Sequence, residues 1–301
     1  MATPLISPQW LAKQIEKRDP ELRIFDTTIT INGLGDEDFK SAHIDGAQFL
    51  NLFKDTKPTK YLPVNLPEPA VFQDYARSLG INTSSHVILY ENTDLHGFAA
   101  PRAWWMLRAY GIRNVSVLDG GLKRWRSEGY PVTVETTEHP KGDVAVTTDA
   151  SRMMSFSDIV ASADIQLVDS RPPDNFAGEH QEPSPFLQAF MPALGMKKED
   201  LDLQTGHIPG AASVPYPSMY QEDGVTFKTK EDLTALFQKQ GVNMKQPITA
   251  YCYVGLTACI FALAASVCGH GDVSVYYGSW VDYGQRAPQS KVQRSCFSSV
   301  P

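Results

Sequence analysis

The chain has 301 residues, of which 42% are hydrophobic and 20% are charged, and its formal net charge is -7 at pH 7. This composition is typical of a globular protein of about two domains. The acidic balance, without a basic patch, argues against a nucleic-acid partner, and no apolar run reaches the ~18 residues of a membrane-spanning helix, so no membrane partner is expected.

The amino-terminal segment and the cysteines indicate an intracellular protein. Residues 1–20 lack the charged start and the apolar core of a secretory signal. The four cysteines, Cys252, Cys259, Cys268 and Cys296, do not form the dense framework of a small secreted domain, so we expect reduced thiols. We therefore expect a cytoplasmic location, with a mitochondrial one as the alternative.

Three short runs in the first half have the composition of β-strands, and longer stretches with helical periodicity separate them. These runs are LRIF at residues 22–25, HVILY at 86–90 and VSVL at 115–118. Residues 131–150 are then polar, rich in threonine and without helical periodicity, which indicates a connector.

The second half repeats this pattern. Its β-rich runs are IQLV at residues 165–168, PITAY at 247–251 and VSVY at 273–276, and its GHIPGA stretch has a partner in AHIDGA of the first half. Strands that alternate with helices favour parallel sheets. We therefore predict an α/β fold of two tandem domains, each a small, mainly parallel sheet flanked by helices. The predicted boundaries are 1–130 for the first domain, 131–150 for the connector and 151–301 for the second domain.

The two copies differ at one strand end and in one insertion. When VILY at residues 87–90 is superposed on ITAY at 248–251, Glu91 falls opposite Cys252, so only the second copy has a thiol there. The second copy also has a long, proline-rich insertion between residues 176 and 204. Long segments of this kind are often functional, so we interpret the insertion as a lid or as one side of a pocket.

The position of Cys252 indicates chemistry at its thiol. The loop CYVGLT leads from the end of a predicted strand into an apolar helical run. Ligands of open α/β sheets bind beyond the carboxyl ends of the strands, and the N–H groups of a curled loop and of a helix start favour a negative charge such as a thiolate. Gly255 permits a close approach of the backbone, and Thr257 is placed to hydrogen-bond to sulfur or to cap the helix. The alternative is that Cys252 is a buried small hydrophobe, because free cysteines are among the most buried residues.

The other cysteines favour roles without chemistry. Cys259 and Cys268 fall within the apolar helical run and are predicted to pack in the core, whereas Cys296 lies in a polar tail and is predicted to be exposed. No C-x-x-C pair or histidine partner stands at the spacing of zinc ligands, so neither a metal nor a cofactor is predicted.

Several stretches, taken together and in order, resemble the two-domain rhodanese family, which comprises thiosulfate and 3-mercaptopyruvate sulfurtransferases. The stretches are AHIDGA, APRAWWMLRAYG, VSVLDGGLKRW, LVDSR, GHIPGA and the cysteine loop, and the likeness runs from about Trp10 to Gln285. The resemblance implies two rhodanese-like domains, of which the first is catalytically silent and has an acidic residue, here Glu91, opposite the cysteine.

The resemblance also implies the reaction and its partners. Cys252 attacks the outer sulfur of a small anionic donor, 3-mercaptopyruvate or thiosulfate, and forms a persulfide. The sulfur then passes to cyanide or to a thiol acceptor, such as thioredoxin or a low-molecular-weight thiol.

A substrate-binding set around the cysteine follows from the same resemblance. It consists of Arg171, Asn175, Tyr253, Val254, Gly255, Leu256 and Thr257. Arg171 matches an arginine that the family uses near the anionic group of the donor, and a salt bridge to a neighbouring acid is its alternative interpretation.

Two departures from the family pattern concern the donor. Mercaptopyruvate enzymes typically follow the cysteine with Gly-Ser-Gly and thiosulfate enzymes with two basic residues, whereas Tyr253 and Val254 fit neither pattern. Asn175 replaces a second family arginine, so we predict an altered or relaxed donor preference. His43 matches a histidine proposed to act with the serine that is missing here, so a structural hydrogen bond is predicted for it.

Two other functions compete with this interpretation. The first is a catalytically weak persulfide-carrying or regulatory binding protein, in which Tyr253 and Val254 close the pocket. The second is a phosphatase, which would need an arginine six residues after the cysteine to clamp a phosphate. Ala258 occupies that position, which argues against a phosphatase.

Overall fold

The chain forms two compact units in a computed structural model. The structure describes residues 2–30, 33–94, 96–162, 165–180, 188–189, 191–195, 197, 201–271 and 273–295. Unit 1 consists of Met1–Thr56, Leu66–Ala150 and Tyr220–Lys228. Unit 2 consists of Lys57–Asn65, Ser151–Met219 and Thr229–Pro301.

Unit 1 is built on a five-stranded parallel sheet with helices. Its strands are β1 Leu5–Ile6, β2 Leu22–Asp26, β3 Ile29–Thr30, β4 Gly33–Leu34, β5 Ala47–Phe49, β6 His86–Tyr90 and β7 Val115–Leu118. Its helices are α1 Pro8–Lys17, α2 Asp36–Ser41, α3 Pro69–Ser78, α4 Ala99–Ala109 and α5 Gly121–Ser127. The order in the sheet is β1-β7-β6-β2-β5, and β3 pairs with β4 as a separate antiparallel ribbon.

Unit 2 has the same architecture. Its strands are β8 Met153–Met154, β9 Gln166–Asp169, β10 Ala212–Ser213, β11 Ile248–Tyr251 and β12 Ser274–Tyr276. Its helices are α6 Phe156–Ala161, α7 Pro173–Ala177, α8 Lys230–Lys239, α9 Ala258–Val267 and α10 Ser279–Arg286. The sheet order is β10-β9-β11-β12-β8, with all pairs parallel.

The two sheets have equivalent strand orders, which confirms the predicted α/β fold with two tandem copies. All six β-rich runs of the sequence form strands in the sheets, namely β2, β6, β7, β9, β11 and β12. The strands that precede Glu91 and Cys252, β6 and β11, lie in the middle of their sheets. Tyr90 of β6 pairs with Asp26, and Tyr251 of β11 pairs with Asp169. Central parallel strands are covered on both faces, which explains why β6 and β11 are almost entirely buried and apolar.

The helix that follows β11 is an element of the core. Residues Ala258 to Ala265 of α9 are all buried, and Phe261 packs against Phe237 of α8 with ring centroids 4.9 Å apart. Cys259 is fully buried in this helix, as predicted. Cys268 differs from the prediction: it follows the last turn of α9, is half-buried, and donates through its thiol to the Lys230 carbonyl at 3.7 Å. The prediction for Cys296 lies outside the described residues.

The compact units differ from the predicted boundaries because pieces of chain cross between the halves. Tyr220–Lys228 of the second half packs in unit 1, and Lys57–Asn65 of the first half packs in unit 2. Residues 131–150, predicted as the connector, are mostly exposed but remain with unit 1, where the Val144 amide donates to the Ile81 carbonyl at 3.2 Å. In the part of the chain that the structure describes, no helix has the length and apolar character needed to span a membrane.

Candidate active site

Cys252 lies directly after β11, at the carboxyl end of the central strand of unit 2, and is 1% exposed. The backbone N–H of Gly255 donates to its Sγ at 3.2 Å. Gly255 has φ +79, and a Cβ at that position would meet the Tyr277 carbonyl oxygen at 2.6 Å. The loop therefore needs glycine for both its left-handed backbone and its close packing, and this conformation aims an N–H at the sulfur.

Ser279, which sequence reasoning missed, holds the backbone of Cys252. The Cys252 N–H donates to Ser279 Oγ at 3.1 Å, and that hydroxyl donates to the Tyr276 carbonyl at 2.8 Å. Ser279 has φ +52, a backbone conformation that residues other than glycine seldom adopt. Its equivalent in unit 1 is Gly121, with φ +55. The alignment of VSVLDGGL with VSVYYGSW contained this signal, because a serine stands where the first copy has a glycine.

The start of α9 closes the other side of the loop. Thr257 occupies the N-cap position, but its side chain makes no capping hydrogen bond, so the predicted capping role is wrong. Its backbone is helical, with φ -71 and ψ -18, whereas a capping side chain usually requires an extended N-cap residue. Cys259 Sγ instead donates to the Gly255 carbonyl at 3.3 Å, which ties the first turn of α9 to the loop.

The apolar loop residues point into the protein. Tyr253, Val254 and Leu256 are all buried, and the Tyr253 carbonyl accepts a hydrogen bond from the Val281 N–H at 3.0 Å. Tyr253 also lies near enough to Arg171 to influence the pKa of that guanidinium. Tyr253 is therefore a packing element of unit 2.

Arg171 forms a buried ion pair, the alternative considered for it from the sequence. Its Nη2 donates to Asp169 Oδ2 at 2.7 Å and to the Gly206 carbonyl at 2.7 Å, and its Nε donates to Asp169 Oδ1 at 3.1 Å. The guanidinium carbon stands 4.3 Å from the centre of the Trp280 ring. Burial alone would lower the pKa of Arg171, but the charge of Asp169 raises it, so the cation persists and is already balanced within the protein.

The histidines of the repeated motif have the same structural setting in both units. His207 stacks on Phe176, with ring centroids 3.7 Å apart, and its Nδ1 lies 2.7 Å from the Phe176 carbonyl oxygen. His43 stacks on Phe39, and its two ring nitrogens lie 2.7 and 3.0 Å from backbone carbonyl oxygens. This confirms the structural hydrogen bond predicted for His43. Asn175 is buried next to this stack and donates through Nδ2 to the His180 carbonyl at 3.2 Å.

In unit 1, Glu91 occupies the position that Cys252 has in unit 2. Its carboxylate fills the cradle, by which we mean the space between the loop after the central strand and the N–H groups at the start of the next helix. Glu91 follows β6, and its two oxygens accept hydrogen bonds from the N–H groups of Ala99 and Ala100, each at 3.1 Å, at the start of α4. Burial raises the pKa of Glu91 to about 7, against the opposing effect of these hydrogen bonds. The cradle of unit 1 is thus occupied by a built-in acid, and that of unit 2 surrounds a thiol.

Ser170 and Tyr216 were also missed from the sequence. Ser170 directly follows Asp169, which pairs with Tyr251, and Tyr216 lies near enough to Cys252 for that residue to influence the pKa of its phenol. Ser170 follows β9, the strand next to β11, and the Tyr216 N–H donates to the Ser170 carbonyl at 3.0 Å. Residues 181–187, 190, 196 and 198–200 of the insertion lie outside the described residues, and so does the test of its predicted role as a lid. Among the described residues, no group of three or more His, Cys, Asp or Glu side chains is arranged to hold a metal ion.

The comparisons with known proteins agree with this geometry. The model of the Rhodanese-like domain family matches residues 7–128 and 153–286. The thiosulfate sulfurtransferase of Rattus norvegicus is 38% identical over 291 residues, with 94% of this chain and 93% of that protein covered. The 3-mercaptopyruvate sulfurtransferase of the same organism is 32% identical over 296 residues, with 96% and 94% covered.

A solved structure shows the same architecture over nearly the whole chain. The crystal structure of SseA from Escherichia coli, described as a 3-mercaptopyruvate sulfotransferase, matches with a TM-score of 0.76 and 30% identity, and covers 93% of this chain and 99% of that one. Two rhodanese domains, one with a cradled cysteine and one with an acid in its place, account for both the repeat and the site. The chain therefore belongs to the rhodanese-like domain family and is a sulfurtransferase of the two-domain type.

Proposed function

We propose that this sulfurtransferase moves sulfane sulfur from a small anionic donor, 3-mercaptopyruvate or thiosulfate, through a persulfide on Cys252. The observation that carries the proposal is the hydrogen bond from the Gly255 N–H to Cys252 Sγ at 3.2 Å, in a buried loop at the carboxyl end of the central strand. A backbone N–H donor aimed at sulfur stabilises a thiolate, which is the nucleophilic form of cysteine.

The chemistry balances without a metal or a redox partner. The Cys252 thiolate attacks the outer sulfur of thiosulfate or the thiol sulfur of 3-mercaptopyruvate, a new S–S bond forms, and the bond between that sulfur and the remainder of the donor breaks. The electron pair leaves with sulfite from thiosulfate, or with the enolate of pyruvate from 3-mercaptopyruvate, which takes a proton from solvent. An acceptor thiolate or cyanide then attacks the outer sulfur and releases the Cys252 thiolate.

We propose a relaxed donor preference for the same site. Arg171 is bound to Asp169, so its charge is already balanced, and Asn175 supplies no second cation. Tyr253 and Val254 are buried in place of polar or basic loop residues. Discrimination between a carboxylate and a sulfonate needs fixed and specific partners, so weak discrimination is expected here.

The acceptor that we propose is a thiol, such as thioredoxin or a low-molecular-weight thiol, in the cytoplasm or in mitochondria. Support comes from Cys252, Cys259 and Cys268, which are all free thiols. A reducing compartment would preserve Cys252 and also supply such acceptors.

The test measures sulfide release from 3-mercaptopyruvate with a dithiol, beside thiocyanate formation from thiosulfate and cyanide. We expect turnover of both donors by the wild type, with kcat/KM values within about tenfold of each other, and loss of both activities in Cys252→Ser. Cys268→Ser, which changes a half-buried thiol outside the loop, serves as the matched control and keeps its activity. Equal rates for wild type and Cys252→Ser would refute the proposal.

The burial of Cys252 favours one second candidate, a persulfide carrier that stores sulfur rather than turning it over. A thiol that is 1% exposed protects its persulfide but restricts access by an acceptor. Mass spectrometry after incubation with thiosulfate separates the two functions. A carrier keeps one added sulfur in the presence of the acceptor, whereas the enzyme loses it at the rate of turnover.

A further inference from the structure

A buried hydroxyl without a hydrogen-bond partner lies one residue beyond the paired strand ends Asp169 and Tyr251. Ser170 is fully buried, and its Oγ has no hydrogen-bond partner among the described residues. Most buried hydroxyls in proteins are satisfied, so an unsatisfied one next to a nucleophile requires an explanation. A ligand atom that arrives during the reaction would supply the missing acceptor.

The register of the sheet places Ser170 next to Cys252. Asp169 pairs with Tyr251 across the parallel strands β9 and β11, and the Ser170 N–H donates to the Tyr251 carbonyl at 2.9 Å. The next residues along each strand are Ser170 and Cys252. Residues at matching positions of neighbouring parallel strands have side chains on the same face and are separated by roughly 5 Å. An outer sulfur about 2 Å from Cys252 Sγ would therefore come within hydrogen-bonding range of the Ser170 hydroxyl.

Tyr216 supplies a second hydroxyl to the same cluster. Its N–H donates to the Ser170 carbonyl at 3.0 Å, at the start of a short 3-10 helix over Tyr216–Met219. Burial raises the pKa of the Tyr216 phenol, and the negative charge of Cys252 raises it further. The phenol therefore keeps its proton at neutral pH and can donate it in a hydrogen bond to an anionic sulfur.

Unit 1 provides an internal comparison. Thr27 is the equivalent of Ser170, and its hydroxyl is satisfied because it donates to the Tyr90 carbonyl at 2.9 Å. Leu52 is the equivalent of Tyr216, because each follows the histidine of its repeat, His43 or His207, at the same separation in sequence. Leucine has no hydroxyl. At these two positions unit 2 therefore has a serine hydroxyl without a partner and a tyrosine, whereas unit 1 has a satisfied threonine and a leucine.

We propose that the hydroxyls of Ser170 and Tyr216 are hydrogen-bond donors to the outer sulfur of the Cys252 persulfide. This inference rests on the proposed function and deepens it, because it assigns the groups that hold the transferred atom. The two hydroxyls replace the basic or polar loop side chains whose positions Tyr253 and Val254 fill. Ser170 Oγ lacks a partner in the unloaded protein because its partner is the sulfur that the donor delivers.

The test is the loading equilibrium with thiosulfate and sulfite. Intact mass spectrometry measures the fraction of protein with one added sulfur at a series of thiosulfate-to-sulfite ratios. We expect Ser170→Ala and Tyr216→Phe each to lower the loading constant about tenfold, or about 1.4 kcal/mol, the scale of a hydrogen bond to a charged acceptor. The unloaded thiolate gains nothing from Ser170, so a merely structural role would leave this constant unchanged.

Matched controls come from both units. Thr27→Val removes the equivalent hydroxyl of unit 1, and Tyr283→Phe removes a phenol of unit 2 that donates to the Lys291 carbonyl at 2.9 Å. Both controls are expected to load like the wild type. Thermal unfolding of every variant establishes that it is folded, and Tyr216→Phe keeps the test decisive where Ser170→Ala is unstable.

The outcomes separate the inference from the proposed function. If the wild type loads sulfur and the folded variants Ser170→Ala and Tyr216→Phe have the loading constant of the wild type, the assignment of the two hydroxyls is overturned. The proposed function is not affected by that result. A wild type that never gains sulfur would overturn the proposed function itself. Loading that falls in both variants and in neither control supports both.

Discussion

At the residue scale, the loop after Cys252 depends on one glycine whose backbone conformation is left-handed and whose packing is close. In Gly255→Ala, the new Cβ would be placed in a left-handed backbone and against the Tyr277 carbonyl oxygen, so we expect a loss of about 2–4 kcal/mol of unfolding free energy. Sulfur transfer should fall at least tenfold, because the N–H aimed at Cys252 moves. Urea unfolding and turnover measure the two effects.

Gly241→Ala is the matched control for that variant. Gly241 has φ +75, but a Cβ there would meet nothing within 4 Å, so the substitution costs only the left-handed strain of about 1 kcal/mol. Its turnover should equal that of the wild type. Similar losses in the two variants would mean that the close packing at Tyr277 has no role.

Ser279 allows stability and positioning to be separated at one residue. Ser279→Ala and Ser279→Gly both remove the hydroxyl that accepts from the Cys252 N–H, so we expect each to lower kcat about tenfold. Glycine also relieves the strain at φ +52, so Ser279→Gly should be about 1 kcal/mol more stable than Ser279→Ala. Chemical denaturation beside steady-state kinetics measures both, and full activity in either variant would contradict the positioning role.

The site residues that could be predicted from the sequence lie close to Cys252 along the chain, whereas the missed ones come from distant segments. Cys252 and Gly255 lie in one loop, and the repeat with Glu91 exposed the cysteine as the differing residue. Ser170 and Ser279 come from segments 82 and 27 residues away from Cys252, so their approach depends on sheet register. Periodicity predicts that a strand exists but does not give its register.

At the element scale, the same strand–loop–helix unit holds an acid in one copy and a thiol in the other. The start of α4 donates two N–H groups to Glu91, whereas the loop before α9 donates to Cys252. The strands and helices were predictable from β-rich runs and helical periodicity, because both patterns are local. The capping prediction for Thr257 was wrong, because the curled loop forces a helical backbone at the N-cap.

Glu91 should make the stability of unit 1 depend on pH. Its pKa rises from 4.5 to about 7 on folding because of burial and the nearby charge of Asp26, so its stabilising effect is complete below pH 4.5 and is lost as pH rises through 7. The loss approaches about 3 kcal/mol. Urea unfolding between pH 5 and 8.5 should show a flatter profile for Glu91→Gln than for the wild type.

For Glu91→Gln, the informative quantity is the change of unfolding free energy with pH, here called the slope, and not the stability at one pH. The glutamine amide turns one N–H group toward the donors of α4, so a lower stability at pH 5 is expected as well. Glu16→Gln, at an exposed position of α1, is the control and should keep the slope of the wild type. An unchanged slope in Glu91→Gln would show that its carboxyl does not titrate in this range.

At the scale of the whole molecule, the two units are alike in topology but are not two consecutive pieces of chain. The predicted boundary after residue 150 follows the repeat in the sequence, whereas the structure exchanges two segments between the halves. Tyr220–Lys228 joins unit 1, where the Phe227 N–H donates to Asp119 Oδ1 at 2.9 Å and the His96 N–H donates to the Gly224 carbonyl at 2.6 Å. Such long-range exchanges leave no local pattern that sequence reasoning can detect.

This exchange predicts that the halves do not fold independently. A fragment of residues 1–150 lacks the segment that contacts Gly97 and Asp119, and a fragment of residues 151–301 lacks Lys57–Asn65, whose Tyr61 ring lies 5.4 Å from the Arg286 guanidinium carbon. We expect each fragment alone to unfold with a broad transition and at a lower temperature than the full chain, because buried hydrogen bonds lose their partners. Co-expression of the two fragments should restore a sharp transition and Cys252-dependent turnover. Circular dichroism melting measures this, and a fragment that melts as sharply and at the same temperature as the full chain would show that the exchanged segments contribute nothing to the stability of the units.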